Sequence, residues 1–313
     1  MPETVSLDDV RAARETIGTD LHRTPLFSSA TLGPRVFLKA ELFQRTGSFK
    51  PRGVLNKLRS LNEDERASGV IGVSAGNHAQ ALAYCARLEG LDALLVMWKT
   101  ASPAKIEATR GYGAEVDLVA SGPETVFERL EELREQTGRT FVHPFDDPLV
   151  IAGQGTVGLE IGEDVPDVDV VVVPVGGGGL ISGIATALPN ARIVGVEPQG
   201  SNALSAALEA GHSVPVEPRS IADGLNAPFA GDLPVHIAAA RGIAIVLVEE
   251  AEIEAGMRFV YERAKLACEP AGAAAVAALL GGKVALGEGE TVVAVVSGGN
   301  VSGETAAAIL AQL

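Results

Sequence analysis

Residues 168–183 read VDVVVVPVGGGGLISG, a run of valines followed by four successive glycines. A continuous β-branched run without polar alternation is typical of a strand buried on both faces, as in parallel sheets. Glycines then permit a tight turn, and the apolar residues from Leu180 onward predict a helix. The stretch therefore predicts a strand, a loop and a helix in succession, which is the repeating unit of α/β folds.

The same alternation of short apolar runs and helix-length segments continues along the chain. The predicted strands are 36–40, 69–75, 93–98, 115–119, 141–145, 168–175, 191–198, 244–249 and 291–299. Predicted helices include 78–90, 102–113, 122–138 and 201–211. Several of these helices begin at Ser and end at Gly, as helix caps require. We predict an α/β fold with a doubly wound, mostly parallel sheet, in which the series 69–145 is able to form a small sheet of its own.

Length, charge and cysteine content narrow the class of protein. A chain of 313 residues with 47% hydrophobic content predicts two domains, or one large α/β domain with an insertion. A net charge of -15 predicts no nucleic-acid partner, because an acidic surface repels phosphate. Cys85 and Cys268 lie far apart without metal-ligand spacing, so we predict neither a disulfide framework nor a zinc site.

The sequence also bears on location. The first ten residues, MPETVSLDDV, lack the apolar segment of a signal peptide. The uncharged run 170–191 is interrupted by Pro174 and the glycines, which argues against a membrane span. We expect a cytoplasmic protein without a membrane partner.

The glycine run is the first candidate binding site. Backbone N–H groups of a glycine loop converge on one point, and the helix that follows adds its positive end, which favours phosphate. The alternative is a simple strand–helix turn, although one or two glycines suffice for that. A dinucleotide motif fails because the sixth position from Gly176 is Ile181, and a Walker A motif fails because Gly282-Lys283 is followed by Val284.

Lys50 is the second candidate, within TGSFKPRG (46–53). A solvated lysine has a pKa of about 10.4, but desolvation lowers that pKa and allows a neutral amine to attack a carbonyl. Arginine cannot act in this way because it stays protonated. The alternative is an ordinary lysine in a surface loop. A lysine amine together with a phosphate loop, and without metal ligands, indicates pyridoxal phosphate held as a Schiff base.

Two further loops follow predicted strands. In SAGNHAQ (74–80), free N–H groups at a helix start are suited to a carboxylate, although Asn77 could merely cap the helix and a lone His78 is more often structural. In SGGNVS, Ser297 places a hydroxyl at a strand end, which is also ordinary turn chemistry.

Taken together, these motifs resemble the fold-type-II pyridoxal-phosphate enzymes, whose fold is tryptophan-synthase-β-like. Within them, the chain is most similar to the threonine/serine dehydratase (ammonia-lyase) and serine racemase family. The resemblance covers nearly the whole chain. Its motifs are HRTPL (22–26), LKAELFQRTGSFKPRG (38–53), SAGNHAQ (74–80), GAEV (113–116), HPFDDPLVIAGQGTVGLEI (143–161), PVGGGGL (174–180), GVEP (195–198), IADG (221–224), EPAGAA (269–274) and SGGN (297–300).

The resemblance implies a role for each candidate residue. Lys50 would form the internal aldimine with pyridoxal 5'-phosphate and later move the α-proton, with Phe49 beside the cofactor. Asn77 would contact the ring hydroxyl, and Ser297 would face the pyridine nitrogen. The phosphate would be bound by Gly176, Gly177, Gly178, Gly179 and the N–H of Leu180. The substrate carboxylate would be bound by Ser74, Ala75, Gly76, Asn77 and His78.

The resemblance also implies the domain organisation and the assembly. A large cofactor-binding domain would comprise residues 1–68 and 146–313. A smaller, mobile α/β domain, residues 69–145, would close over an amino-acid substrate. The family resemblance further implies a homodimer or a higher homo-oligomer.

The implied activity is β-elimination, which converts L-threonine, L-serine or both to a 2-keto acid and ammonia. Ala75 occupies the position where racemases of the family resemble a Ser, and alanine carries no proton, so we expect negligible racemisation. The alternatives are another β-hydroxy amino acid such as 3-hydroxyaspartate, a serine racemase, or a protein that kept the fold without catalysis. We predict no metal site, because no second carboxylate follows Glu197 closely.

Overall fold

The structure, a computed structural model, describes residues 4–121 and 125–311 and contains two β-sheets. The strands are β1 (Leu26–Ser28), β2 (Val36–Ala40), β3 (Val70–Val73), β4 (Ala93–Val96), β5 (Glu115–Asp117), β6 (Thr140–Phe141), β7 (Val170–Pro174), β8 (Arg192–Pro198), β9 (Ala244–Val248) and β10 (Val292–Val296). The α-helices are α1 (Leu7–Ile17), α2 (Pro51–Arg59), α3 (Glu63–Ser68), α4 (Asn77–Glu89), α5 (Pro103–Gly111), α6 (Val126–Thr137), α7 (Pro148–Asp164), α8 (Gly179–Ala187), α9 (Ala203–Ala210), α10 (Asp232–Ala240), α11 (Glu250–Phe259), α12 (Pro270–Leu280) and α13 (Gly303–Leu310).

Both sheets are predominantly parallel. The six-stranded sheet has the order β1-β2-β10-β7-β8-β9, in which only the edge strand β1 is antiparallel to its neighbour. The four-stranded sheet has the order β5-β4-β3-β6 and is parallel throughout. The predicted α/β fold with a mostly parallel sheet is confirmed. The domain boundaries at 68/69 and 145/146 stay predictions.

The valine run owes its pattern to burial on both faces of the larger sheet. Val170 and Val172 belong to a core that includes α12, whereas Val171 and Val173 belong to a second core that includes α8. Because successive side chains point to opposite faces, every position of the strand needs an apolar residue.

Predicted and observed strands differ at two places. The strand expected at 141–145 is only β6, because the chain turns after it: the Nδ1 atom of His143 accepts hydrogen bonds from the backbone N–H groups of Phe145 and Asp146. The three-residue strand β1 was not predicted, since so short an edge strand carries little pattern. Of the helix expected at 122–138, the first three residues lie outside the described part, and the rest contains α6.

Helix α2 lies between the two sheets and positions Lys50. It packs against α7 on one side and α4 on the other. Pro51 is its first residue, where a missing N–H costs nothing, so Lys50 stands directly at the helix start. Within the described ranges, no helix is both long and apolar enough to cross a membrane.

Candidate functional site

The loops that follow four strands, β2, β3, β7 and β10, converge on one pocket. Carboxyl ends of parallel strands are the usual place for ligands in α/β folds. The pocket is lined by Phe49, Lys50, Asn77, Phe145, Pro174, Val175, Gly176, Gly177, Gly178, Gly179, Leu180, Ile181, Gly224, Leu225, Glu269, Ala271 and Ser297. The structure thus brings together every residue predicted to bind the cofactor, and their individual roles stay predictions.

Lys50 reaches into this pocket without an acidic partner. Its Nζ donates a hydrogen bond to the backbone carbonyl of Pro144 at 2.8 Å and lies 5.2 Å from the centre of the Phe49 ring. Among the described residues, no carboxylate forms an ion pair with it. Burial without a counter-charge lowers the pKa of Lys50 to about 8, so a substantial fraction of the amine is neutral near physiological pH.

The glycine loop turns tightly between β7 and α8. Gly178 has a φ of 94°, a conformation that favours glycine, and a Cβ atom on Gly177 would lie 2.3 Å from the Phe145 ring. The first bond of α8 runs from the N–H of Ser182 to the carbonyl of Gly178. The N–H groups before Ser182 therefore lack partners inside the helix and are available to an anion.

Ser297 stands at the end of β10 and is almost fully buried. Its hydroxyl makes no hydrogen bond to any other described residue, although it lines the pocket. A free hydroxyl beside a buried pocket needs a polar ligand atom as its partner.

Asn77 is held by two residues that the sequence analysis did not single out. Its Nδ2 donates to Oε1 of Glu269 at 2.6 Å, and its Oδ1 accepts from Nδ2 of Asn300 at 2.7 Å. The N-cap of α4 is Gly76, and Asn77 does not cap the helix with its side chain. The interpretation of Asn77 as a simple cap is therefore wrong. Both partners lie in quoted motifs, EPAGAA and SGGN, and a carboxylate before an Ala-rich buried helix was the available signal.

Glu269 is a buried carboxyl group in the pocket wall. Burial raises its pKa to about 7, and the nearby charge of Asp223 acts in the same direction. Asp223 itself forms an ion pair with Lys105, which belongs to α5 beside the smaller sheet. This pair connects the two sheet regions at the edge of the pocket.

The loop Ser74–His78 opens helix α4. The hydroxyl of Ser74 accepts the N–H of Gly76 at 3.1 Å, and the first bond of the helix runs from Gln80 to Gly76. The N–H groups of Asn77 and His78 therefore have no acceptor inside the helix. Ala75 is half-buried and packs against the apolar core beneath.

The imidazole of His78 is structural in this arrangement. Its Nε2 lies 2.9 Å from the carbonyl of Val142 and must donate to it, because a carbonyl only accepts. Burial first, and the charge of Lys50 second, lower the pKa of His78 to about 3, so the ring is neutral. Only its backbone N–H remains a candidate for carboxylate binding.

Glu197 lies outside the pocket and serves helix α9. Its two carboxylate oxygens accept the backbone N–H groups of Leu204 and Ser205 at 2.7 and 2.9 Å. Burial raises the pKa of Glu197 to about 7 despite these bonds. Across the described residues, no group of three or more His, Cys, Asp or Glu side chains is placed to hold a metal ion.

Comparison with known proteins identifies a family. Residues 14–298 match the family model described as "Pyridoxal-phosphate dependent enzyme". The chain is 44% identical over 306 residues to a protein named L-threonine ammonia-lyase from Thermotoga maritima, covering 95% of this chain and 76% of that protein.

Solved structures agree with this match. A threonine deaminase, its source given as T.th., superimposes with a TM-score of 0.87 at 40% identity, covering 95% of this chain and 99% of that one. Maize serine racemase superimposes with a TM-score of 0.92 at 35% identity, covering 97% and 96% of the two chains. The resemblance identified from the motifs is thereby confirmed.

Proposed function

Because the chain belongs to the pyridoxal-phosphate dependent enzyme family, we propose that it is an ammonia-lyase that converts L-threonine, L-serine or both to a 2-keto acid and ammonia. The observation that supports this most strongly is the position of Lys50, whose unpaired amine shares one pocket with the tetraglycine loop. Relatives with printed names of threonine ammonia-lyase and threonine deaminase support the same reaction.

The residues of the pocket fit pyridoxal phosphate. The glycine loop offers unpaired N–H groups and leaves no room for side chains, as a phosphate site requires. The Ser297 hydroxyl is free to meet a ring nitrogen, and the Lys50 amine is free to meet an aldehyde. Gly176 to Gly179 and Leu180 would hold the phosphate, with Phe49 and Asn77 beside the ring.

When bound, pyridoxal phosphate supplies an electron sink that makes loss of the substrate Cα proton possible. Lys50 anchors the cofactor and, once released from it, moves the proton at the substrate Cα atom. Its lowered pKa suits this role, because a base near neutral pH must be able to exist without its proton. Arginine at this position could neither anchor the cofactor nor act as a base.

The start of helix α4 would bind the substrate carboxylate. The N–H groups of Asn77 and His78 and the positive end of the helix favour an anion there. We infer that residues 69–145 form the smaller domain that closes over the substrate, and that the Lys105–Asp223 pair forms where this domain meets the rest of the chain.

The charges of the pocket favour a neutral substrate side chain. Glu269 lines the pocket and Asp223 lies beside it, whereas Lys50 is the only basic residue among the lining residues described above. A second carboxylate on the substrate, as in 3-hydroxyaspartate, would face acidic groups without a free arginine. Ala75 cannot exchange a proton with the opposite face of the substrate, so we expect little racemisation.

The assembly and location extend the proposal. We infer a homodimer or a higher homo-oligomer, which light scattering of the purified protein tests directly. We also infer a cytoplasmic enzyme, which cell fractionation tests.

The test of the function is a substrate panel on purified, yellow protein. Ammonia and keto acid are measured with L-threonine, L-serine and 3-hydroxyaspartate, and D-serine formation is followed by chiral chromatography. We expect keto acid from L-threonine or L-serine and negligible D-serine. Yellow protein that releases no ammonia from either amino acid would refute the substrate assignment alone.

A second experiment tests the cofactor assignment. Borohydride reduction followed by peptide mapping should locate the cofactor on Lys50. Lys50→Met should remain colourless, whereas Lys99→Met, at an exposed lysine, should behave as the native protein does. A colourless native protein after incubation with pyridoxal phosphate would refute the cofactor assignment.

A further inference from the structure

Asn300 connects three segments of the site without lining the pocket itself. Its Nδ2 donates to the backbone carbonyl of Thr46 at 2.7 Å and to Oδ1 of Asn77 at 2.7 Å. Thr46 lies in the loop before Lys50, and Asn77 begins α4 beside the smaller sheet. One amide group therefore ties the lysine loop and the substrate loop to the end of β10.

The direction of each hydrogen bond in this chain is determined by its ends. The Thr46 carbonyl only accepts, so Asn300 must turn its Nδ2 toward it, and the same Nδ2 then meets Asn77. Asn77 must in turn present Oδ1 to Asn300. Its Nδ2 consequently points the other way, toward the carboxylate of Glu269.

The second hydrogen of the Asn77 Nδ2 has no acceptor within the described part of the chain. The Nδ2 atom lies among pocket-lining groups, 3.7 Å from where a Cβ atom of Gly224 would be. The pocket therefore receives a hydrogen-bond donor, and not an acceptor, from this side chain.

Two glycines leave room for this chain of hydrogen bonds. A Cβ atom on Gly47 would lie 2.5 Å from Oδ1 of Asn300, and one on Gly298 would lie 2.2 Å from Oε1 of Glu269. Thr46 adopts a φ of 61°, which is unfavourable for a β-branched residue, and its carbonyl is the one bound by Asn300. The backbone on both sides is thus shaped around these amide contacts.

We propose that Asn300 is a positioning residue: it fixes the orientation of the Asn77 amide so that Asn77 offers an N–H donor to an anionic oxygen on the cofactor ring. The inference rests on the proposed function, since it presupposes an aromatic cofactor with such an oxygen. Asn300 would act only through Asn77, which itself touches the pocket.

Asn300→Asp tests this orientation most sharply. An ionised carboxylate at position 300 cannot donate, so the Asn77 amide should turn its Nδ2 toward that carboxylate and its Oδ1 toward Glu269. One of the two carboxyl groups must then take up a proton. We expect a shifted visible absorption band of the bound cofactor that varies between about pH 6 and 9, weaker cofactor binding, and kcat about 10- to 100-fold lower, as for a lost hydrogen bond to a charged group.

Asn300→Ala and Asn77→Asp complete the series. Asn77→Asp lacks the donor but can still accept from Asn300, so it should reproduce the altered absorption band of Asn300→Asp. Asn300→Ala leaves Asn77 free to adopt either orientation and should be milder than Asn300→Asp. A purely structural role predicts the reverse order, because the isosteric Asp preserves packing better than Ala.

Asn226→Asp is the matched control. Asn226 is also half-buried and donates one hydrogen bond to a backbone carbonyl, that of Ser220 at 2.9 Å, outside this chain of contacts. It should retain the native absorption band. A native band and native kcat in Asn300→Asp would overturn the inference while the native enzyme stayed yellow and active. If Asn300→Asp does not fold, Asn300→Ala decides: an altered band supports the inference and a native band overturns it.

Discussion

Lys50 and Arg52 are two buried cations only two residues apart, and their surroundings are opposite. Arg52 belongs to an ion cluster, defined here as Lys39, Glu41, Arg52 and Glu160. It donates to Glu41 at 2.8 and 2.9 Å and to Glu160 at 2.6 and 3.0 Å. Lys39 adds a bond to Glu160 at 2.6 Å, so two cations meet two carboxylates. Lys50 has only a backbone carbonyl.

The comparison shows how the same burial produces a structural charge or a reactive one. Burial alone would lower the pKa of Arg52, but the charges of Glu41 and Glu160 raise it above its ordinary value. Burial lowers the pKa of Lys50 with no carboxylate to oppose it. The ion cluster therefore fixes the start of α2, while the residue at that start keeps an amine able to lose its proton.

The largest expected effect is that of Lys50→Met. Keto-acid formation should fall by at least about 10⁴-fold, because both cofactor attachment and the base at Cα are lost. The free energy of unfolding of the cofactor-free protein should not fall, because an unpaired buried amine has been removed. Activity assays and urea denaturation check the two parts. Clear destabilisation by Lys50→Met would mean that Lys50 is a structural cation like Arg52.

Arg52→Met should show the opposite pattern, with stability as the main loss. Removing one partner leaves Glu41 and Glu160 buried with one cation fewer, which typically costs about 3–5 kcal/mol of unfolding free energy. Urea denaturation measures this loss. The double variant Arg52→Met/Glu41→Gln restores the balance of charge and should regain part of it. A loss below about 1 kcal/mol in Arg52→Met would break the comparison.

Gly177→Ala sharpens the pocket side of the comparison. The added Cβ atom would lie 2.3 Å from the Phe145 ring, so the loop must shift, at a cost of about 1–3 kcal/mol. Cofactor affinity should fall by about 10-fold or more, which titration by absorbance measures. Gly111→Ala is the control, since nothing lies within 4 Å of its Cβ position. Equal cofactor affinities of the two variants would contradict the phosphate role of the loop.

Glu197→Gln tests an unpaired buried carboxyl group and should have the smallest effect. The pKa of Glu197 is raised in the folded state, so its stabilising contribution is complete below pH 4.5 and is lost as pH rises through about 7. The native protein should lose up to about 3 kcal/mol from this group across that range. The variant should lack that part of the pH dependence in thermal unfolding. An identical pH profile would show that Glu197 stays ionised.

Part of the fold and the site could be predicted from local sequence. The valine run at 170–174 and the glycines after it have short-range physical causes, so strand, loop and helix were predictable. The partners of Lys39 and Asn77 were not. Lys39 meets Glu160, 121 residues away, and Asn77 meets Asn300, 223 residues away. Such pairs form only when the sheets are assembled, and no periodicity records them.

Burial of the Lys50 amine without a counter-charge is the feature on which the proposed chemistry depends most directly. NMR titration of ¹³Cε-labelled lysine in the cofactor-free protein measures its pKa, with the Lys50→Met spectrum identifying the signal. We predict a midpoint near pH 8, with the charged form below it and the neutral amine above it. A midpoint near 10.5, the ordinary value for lysine, would contradict this prediction.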